Sequence, residues 1–248
     1  MYTETEGIIL RQTKTVNGRR MILLFSKKFG KISAGTSITE KGRSKAALAM
    51  RPFAYGRYEM FKNQEHFNIQ SAEMIRSYFK IGEDVEKFMG SSYILELSEK
   101  LLEEGAANPK FFQLMLDFFE VMEKRESDVN TLILAFEVKA LQIFGVAPQV
   151  GTCVICNNAE TNYRFGIEQG GLICENCMKN IPLKPNDSLI YELSFDIVEI
   201  LKYFMNNPLQ SFQKLTLAEE KQIVVKSLLR EYLSYHLELG ILKSESYI

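Results

Sequence analysis

The sequence predicts an α+β protein with a small β-barrel at the amino terminus and a mainly α-helical domain after it. Short apolar and aromatic segments separated by turn residues fill the first 80 residues, a pattern typical of strands. Beyond residue 80 the apolar residues recur at helical spacing. Four cysteines in two Cys-x2-Cys pairs predict a metal site within the helical part. We therefore expect a barrel domain at residues 1–80 and a helical domain at residues 81–248, with a metal-binding insertion at 149–186.

Five candidate strands make up the predicted barrel. They are Gly7 to Thr13, Arg20 to Ser26, Lys31 to Thr36, Phe53 to Phe61 and Phe67 to Ala72. The segment from Lys27 to Gly30 is predicted to be a hairpin connection, because glycine adopts a positive φ without strain. Five strands of this length are enough for a small closed or partly closed barrel.

Helices are predicted wherever the apolar residues follow a helical period. Their ranges are Val85 to Glu104, Phe111 to Met122, Asn130 to Phe144, Asp187 to Met205 and Leu217 to Leu239. Asn108 is the expected N-cap of the second helix, with Pro109 in its first turn. Thr216 and Glu219 have capping-box spacing, and Gly240 stands where the last helix should stop. The apolar stripe of the second helix is interpreted as a core face rather than a partner groove.

The cysteine spacing is that of a single zinc site. The four residues are Cys153, Cys156, Cys174 and Cys177. Two residues between thiolates let one tight turn aim both sulfurs at the same ion, and two such turns complete a tetrahedron. Asn157-Asn158 and Gly170-Gly171 supply the turn conformations that zinc knuckles need.

Other interpretations of the cysteines explain the pattern less well. Two disulfides do not suit a chain without a recognisable secretory leader, and a redox Cys-x2-Cys pair needs no second copy. A catalytic zinc keeps one position open for water, whereas four thiolates leave none. His66 and His236, the two histidines of the chain, are far from the cysteines in sequence. We therefore expect one structural Zn²⁺ ion.

Charge divides the chain in two. Residues 1–80 carry 15 basic and 6 acidic side chains, although the whole chain has a net charge of −1. A basic segment of this size suits a polyanion, and nucleic acid is the usual one. An anionic membrane or an acidic protein tail is equally compatible with this excess of basic side chains.

Basic and aromatic residues alternate along the predicted barrel, as in small barrels that bind single strands by phosphate contacts and base stacking. The candidate DNA-binding residues are Arg19, Arg20, Lys27, Lys28, Lys31, Lys41, Arg43, Lys45, Arg51 and Arg57. The accompanying aromatic residues are Phe25, Phe29, Phe53, Tyr55, Tyr58 and Phe61. For any single ring, barrel core is the competing interpretation. The stretch from Lys41 to Arg51 is predicted to be a flexible loop that contacts phosphates.

No common catalytic motif occurs in the chain. Walker A, Gly-x-Gly-x-x-Gly, Gly-x-Ser-x-Gly and His-Glu-x-x-His patterns are all missing. We therefore expect no enzyme and no small-molecule substrate. No apolar run reaches the length of a membrane span, and we expect no signal peptide and no membrane partner. The alternative class is a protein-interaction adaptor with a structural zinc, in which the barrel is only a scaffold.

The whole pattern resembles the RecO family of bacterial recombination mediators, and the similarity runs over nearly the whole chain. In the barrel it is carried by Leu24-Phe25-Ser26 leading to Phe29-Gly30-Lys31, and by Lys41-Gly42-Arg43-Ser44 leading to Arg51-Pro52-Phe53. In the helical part it is carried by the four cysteines with Phe165 and Gly170-Gly171.

The resemblance implies a barrel of the OB-fold type and a role in recombination and DNA repair. It implies binding of single- and double-stranded DNA, annealing of complementary strands and association with RecR. With RecR, such a protein helps RecA load onto DNA covered by single-stranded DNA-binding protein (SSB), whose acidic C-terminal tail it also binds. No nucleotide hydrolysis is implied. The expected location is the cytoplasm, in association with the nucleoid.

Overall fold

A computed structural model describes residues 1–14, 20–38, 44–63, 66–159, 163–181 and 189–247. The chain divides into two compact units. The first comprises Met1–Lys124 together with Leu242–Ile248, and the second comprises Arg125–Ile241. Within the described residues, no helix is long and apolar enough to cross a membrane.

The first unit contains a closed five-stranded barrel, which confirms the predicted fold class. Its strands are β1 (Tyr2–Lys14), β2 (Arg20–Ser26), β3 (Gly30–Thr36), β4 (Ala54–Asn63) and β5 (His66–Ser77). Around the barrel their order is β1-β2-β3-β5-β4, and β4 closes the barrel on β1. All pairs are antiparallel except β3 with β5. β1 and β5 extend beyond the predicted ranges because their ends pair with β4.

A short helix, α1 (Lys45–Ala49), follows β3 and packs against the barrel core. The Ser44 hydroxyl caps it by accepting a hydrogen bond from the backbone N–H of Ala47. The buried Tyr58 hydroxyl donates to the Ala49 carbonyl at 2.8 Å. The prediction of a flexible loop was therefore wrong for its second half, since the small apolar residues from Ala46 to Met50 bury against the barrel. Lys41 and Arg43 lie outside the described residues.

The hairpin between β2 and β3 was predicted correctly. Gly30 has a φ of +69°, and a side chain there would overlap the Ala106 carbonyl oxygen. The hydroxyl groups of Thr5 and Ser26 lie 2.8 Å apart beneath the turn. The turn residues Lys28 and Phe29 donate their backbone N–H groups to the Ser26 hydroxyl.

Two long helices complete the first unit: α2 (Val85–Leu101) and α3 (Pro109–Lys124). The stripe from Phe111 to Met122 is buried, as expected for a core face. The Phe25 ring of the barrel packs on Phe111 and Phe112 of α3 with centroid distances of 6.0 and 5.2 Å. The C-terminal 3-10 helix, Lys243–Tyr247, returns to α2.

The second unit combines helices with a small sheet. The helices are α4 (Asn130–Ile143), α5 (Glu175–Met178), α6 (Phe195–Asn206) and α7 (Glu219–Leu237). The strands are β6 (Tyr163–Gly166), β7 (Gly171–Cys174) and β8 (Ile190–Glu192), with β6 in the centre. α4 is buried along most of its length and packs against α6 and α7.

Three helix boundaries in this unit differ from the predictions. The helix predicted from Asp187 begins only at Phe195, because Ile190–Glu192 pairs with β6 as a strand. Thr216 is not an N-cap: α7 begins at Glu219, and the Thr131 hydroxyl accepts the N–H of Leu217 before the helix. α7 also ends before Gly240, since Glu238 takes the left-handed conformation at φ +51°.

Candidate metal centre and nucleic-acid interface

The first cysteine pair lies on a tight turn. The backbone N–H of Asn157 donates to the Cys153 carbonyl at 2.9 Å, and Asn157 has a φ of +61°. Asparagine tolerates this left-handed conformation better than most residues. The turn places Cys153 inside the unit and Cys156 at its surface.

The second pair is held at the junction of β7 and α5. Cys174 ends β7 and is the N-cap of α5, and its sulfur accepts the backbone N–H of Cys177 at 3.4 Å. Gly170, with a φ of +79°, forms the turn between β6 and β7. A side chain at Gly171 would overlap the Gln149 carbonyl oxygen, so the close approach of these segments requires glycine.

The four cysteines of the predicted metal site lie close together in the structure. Their sulfur atoms lie within 4.8 Å of one another, and those of Cys156 and Cys174 are 3.6 Å apart. Neither histidine contributes: the His236 ring nitrogen Nε2 lies 2.7 Å from the Ile167 carbonyl oxygen, and His66 belongs to the barrel. The cluster can therefore hold a metal ion through four sulfur ligands, with no position left open.

The thiols influence one another's ionisation. Burial raises the pKa of Cys153, but the backbone N–H groups of Cys174, Cys156 and Ile155 outweigh it and lower the value to about 6. A hydrogen bond with Cys156, together with burial, raises the pKa of Cys177 to about 12. Four packed thiols therefore do not all ionise on their own, and metal binding at this site has to displace protons.

A second candidate site is an open groove on the barrel, with a volume of about 1260 Å³. It follows the seam where β3 and β5 pair in parallel through Ala34–Phe67, Gly35–Asn68 and Thr36–Ile69. The start of β2 and the end of β4 border it. Its polar and aromatic lining includes Arg20, Lys31, Phe61, Asn63, His66, Phe67, Asn68 and Gln70, with Glu104 at one side. The groove thus combines cationic and aromatic side chains around an exposed sheet seam.

Of the predicted DNA-binding residues, Arg20 and Lys31 line this groove. The Lys31 ammonium also donates to the Glu99 carbonyl at 2.7 Å, which fixes its position. Lys28 lies close by on the hairpin, with its ammonium 5.1 Å from the centroid of the Phe29 ring. Phe29 in turn packs on Phe67 of the groove at 5.4 Å.

The remaining predicted residues are distributed elsewhere. Lys27 pairs with Glu6 at 2.8 Å, Arg57 with Glu4 at 3.4 Å and Lys45 with Glu73 at 3.5 Å. Arg51 is exposed directly after α1. Arg19, like Lys41 and Arg43, falls outside the described residues.

Most of the predicted stacking rings belong to the core. Phe25, Phe53 and Tyr58 are buried, and Phe53 packs on Phe88 and Phe119 of the helices. The Tyr55 hydroxyl donates to Glu6 at 2.6 Å on the outside of the barrel. Phe61 is exposed and lines the groove.

The sequence reasoning missed the contribution of β5 to the groove. His66, Phe67 and Asn68 line it, and the Lys62 ammonium of β4 lies 5.2 Å from the Phe67 ring centroid. The signal was the sequence from Lys62 to Asn68, where cationic, polar and aromatic residues flank a strand connection. Without the parallel β3–β5 pairing, nothing in the sequence places this segment beside Arg20.

Comparisons with known proteins match both parts of the chain to one family. Residues 1–78 match the model described as Recombination protein O N terminal, and residues 82–246 match Recombination protein O C terminal.

Several curated relatives are similar to the chain along most of its length. A DNA repair protein RecO from Alkaliphilus metalliredigens is 29% identical over 96% of this chain and 95% of its own. A DNA repair protein RecO from Bacillus subtilis is 29% identical over 90% of this chain and 87% of its own. One from Bacillus pumilus is 30% identical over 74% of this chain and 72% of its own. With both family models matched and the barrel observed, the chain belongs to the RecO family of DNA repair proteins.

Proposed function

We propose that this protein is a non-enzymatic recombination mediator that binds single- and double-stranded DNA and anneals complementary strands. In this proposal residues 1–80 form the DNA-binding OB-fold domain, and residues 81–248 form the helical domain with the zinc insertion at 149–186. The protein acts in the cytoplasm, in association with the nucleoid.

The observation that carries the proposal is the groove at the β3–β5 seam. OB-folds bind oligonucleotides on the face of strands 2 and 3, between the loop after strand 1 and the loop after strand 4. The groove lies on this face: Arg20 is the first residue of β2, Asn63 the last of β4 and His66 the first of β5. In such a channel the cationic side chains contact phosphates and the aromatic rings stack on bases.

The four-cysteine cluster is proposed to hold one structural Zn²⁺ ion per chain. Sulfur ligands in a tetrahedral set favour zinc among the common divalent ions. The ion would link the turn at Cys153 to β7 and α5, which have only four residues each.

The proposed partners follow from the role of a mediator. RecR would act together with this protein in loading RecA onto DNA covered by SSB, and the acidic C-terminal tail of SSB would bind the helical part. A pull-down with purified RecR and with a peptide of the SSB tail tests each partner separately, and a tail peptide of scrambled sequence is the matched control.

The adaptor alternative has one observation in its favour. Several barrel cations already pair with carboxylates of neighbouring strands, among them Lys27 with Glu6 and Arg57 with Glu4. A solvated, internally paired surface of this kind needs no polyanion.

A salt titration of DNA binding separates the two functions. We expect the affinity for an oligothymidylate to fall steeply with salt. The variant Arg20→Gln/Lys62→Gln should bind at least tenfold more weakly, because it removes a cation of the groove lining and the cation beside the lining ring of Phe67. The slope of log K against log salt is negative, and each lost phosphate contact should make it shallower by about 0.7. Lys80→Gln, which changes an exposed lysine outside the groove lining, is the control. A binding constant that ignores salt, or a groove variant that binds like the control, would reject the DNA-binding function in favour of the adaptor.

A further inference from the structure

One row of residues crosses every strand near the groove. Tyr2 of β1 pairs with Phe61 of β4, Phe61 with Asn68 of β5, Asn68 with Gly35 of β3, and Gly35 with Met21 of β2. Residues opposite one another in a sheet present their side chains to the same face. With neighbouring strands about 4.8 Å apart, four steps make this row about 19 Å long.

The row faces solvent. Tyr2 is 78% exposed, Met21 37% and Phe61 36%, and Asn68 is exposed as well. The rows on either side contain buried residues, as expected from the alternation along strands: Met60 and Ile69 in one row, and Ile22 and Ala34 in the other. The exposed side chains therefore form a continuous strip on the outer surface of the barrel.

Two aromatic rings stand at one end of this strip. The rings of Tyr2 and Phe61 are 5.3 Å apart at an interplanar angle of 68°, so the edge of one meets the face of the other. An edge-to-face pair leaves further ring surface open to solvent. Exposing so much aromatic surface costs free energy unless a ligand covers it.

The middle of the strip is open because Gly35 has no side chain. A Cβ atom at Gly35 would meet only the Asn68 side-chain oxygen at 3.6 Å and the Met21 sulfur at 3.9 Å, which are ordinary contacts. Glycine is therefore not required there by close packing. Its effect is to leave a shallow passage between the aromatic pair and Met21.

Phe61, Asn68, Gly35 and Met21 also line the groove, so the strip and the groove are continuous and Tyr2 extends them beyond β4. Arg20 adjoins Met21 at the other end. Single-stranded DNA, with flat bases on a charged backbone, matches this order of cation, open passage and rings. Binding of this kind has little sequence preference.

We propose that Tyr2 and Phe61 form a base-stacking platform on which a single strand leaves the groove, crossing the barrel from Arg20 over Gly35 to β1. This inference rests on the proposed DNA-binding function. It assigns the role of base contact to the first strand of the barrel, which takes no part in the groove itself.

The chain contains no tryptophan, so a single tryptophan reports on this site without background. We expect the emission of Phe61→Trp to be quenched on titration with an oligothymidylate. Phe79→Trp is the matched control, since Phe79 is exposed in the same unit and does not line the groove. Its emission should not change. Anisotropy of a labelled oligonucleotide measures binding by the unaltered protein and both variants in parallel.

A second set of variants separates stacking from apolar contact. Phe61→Leu keeps an apolar side chain but removes the ring, and we expect it to weaken binding about five- to hundredfold, as Tyr2→Ala should. Tyr2→Phe, which keeps the ring, should bind normally. Circular dichroism and thermal melting confirm that each variant remains folded.

The possible outcomes test the stacking platform separately from DNA binding in the groove. Normal binding by Phe61→Leu and Tyr2→Ala, with unquenched Phe61→Trp, would overturn the platform while leaving the groove proposal in place. If the unaltered protein does not bind the oligonucleotide, both proposals are rejected.

Discussion

Arg125 shows at the residue scale how a single buried charge organises the second unit. Its side chain is completely buried and donates hydrogen bonds to the backbone carbonyls of Asp128, Phe212, Gln213 and Leu215. The guanidinium thus connects the start of α4 with the segment between α6 and α7. A planar group with five donors suits such a set of acceptors, whereas lysine does not.

We predict that Arg125→Met lowers the free energy of unfolding of the second unit by about 3 kcal/mol or more. The substitution removes the guanidinium donor from four carbonyls. Phe212 keeps the backbone N–H of Leu215, but the partly buried carbonyls of Asp128, Gln213 and Leu215 lose this hydrogen bond, each at a desolvation cost. Lys214→Met removes the same charge from an exposed position in the same segment, and its effect should stay within about 0.5 kcal/mol. Urea unfolding followed by circular dichroism measures both, and equal effects would disprove the role assigned to Arg125.

Glu96 anchors the C-terminal 3-10 helix to α2. Its carboxylate accepts hydrogen bonds from the backbone N–H groups of Lys243 and Ser244 and from the Ser244 hydroxyl, at 3.0, 2.9 and 2.5 Å. Burial raises the pKa of Glu96, but these bonds lower it by more, so the pKa lies below its ordinary value of 4.5. The anchoring is therefore complete above pH 4.5 and is lost as the pH falls through the lowered pKa.

We predict that Glu96→Gln speeds amide hydrogen exchange at Lys243 and Ser244 about fivefold at pH 7, because one charged acceptor is lost. Below the lowered pKa the difference from the unaltered protein should vanish, since the carboxyl group is then neutral too. Glu103→Gln, at an exposed position, is the control. An exchange difference that is the same at pH 7 and at acidic pH would contradict this account.

Individual aromatic residues show where sequence reasoning reached its limit. Phe25, Phe53 and Phe61 looked alike in the sequence, yet two are buried against helices and one is exposed. Strand alternation alone assigns faces, but both faces of this barrel carry rings, because α3 covers part of the outside. Which face is open depends on long-range packing that local patterns do not contain.

At the scale of elements, the four-cysteine cluster was the most predictable part of the chain. Ligand spacing and the turn residues Asn157 and Gly170 are both local, and the structure brings all four sulfurs together as expected. The strand β8 was not predictable in this way, because its three residues are a strand only through pairing with β6. The same holds for α1, whose five residues are helical because they pack on the barrel.

We predict that the purified protein contains one zinc ion and that Cys174→Ser removes it. Loss of the metal should increase hydrogen exchange in β6 and β7, while exchange in the barrel strands stays unchanged. Elemental analysis and exchange mass spectrometry measure the two effects, with the barrel peptides as the internal control. Protein purified under reducing, chelator-free conditions without any metal would refute the zinc assignment.

At the scale of the whole molecule, the uneven charge distribution is consistent with membership of a family of DNA repair proteins. The basic first third contains the barrel with its groove, and the more acidic remainder contains most of the helices and the four-cysteine cluster. The fold class, the β2–β3 hairpin and the clustering of the four cysteines were predictable from the sequence. The groove was not, because its lining comes from β2, β3, β4 and β5, and only barrel closure brings these strands together.

The most direct test of the proposed DNA-binding function is to locate bound DNA on the protein. Photo-cross-linking of an oligonucleotide that carries 5-iododeoxyuridine, followed by mass spectrometry, identifies the residues that touch its bases. We expect adducts within residues 61–68 and at Tyr2, with fewer adducts in Arg20→Gln/Lys62→Gln in proportion to its weaker binding. Salt-dependent binding with adducts confined to residues 125–241 would contradict it.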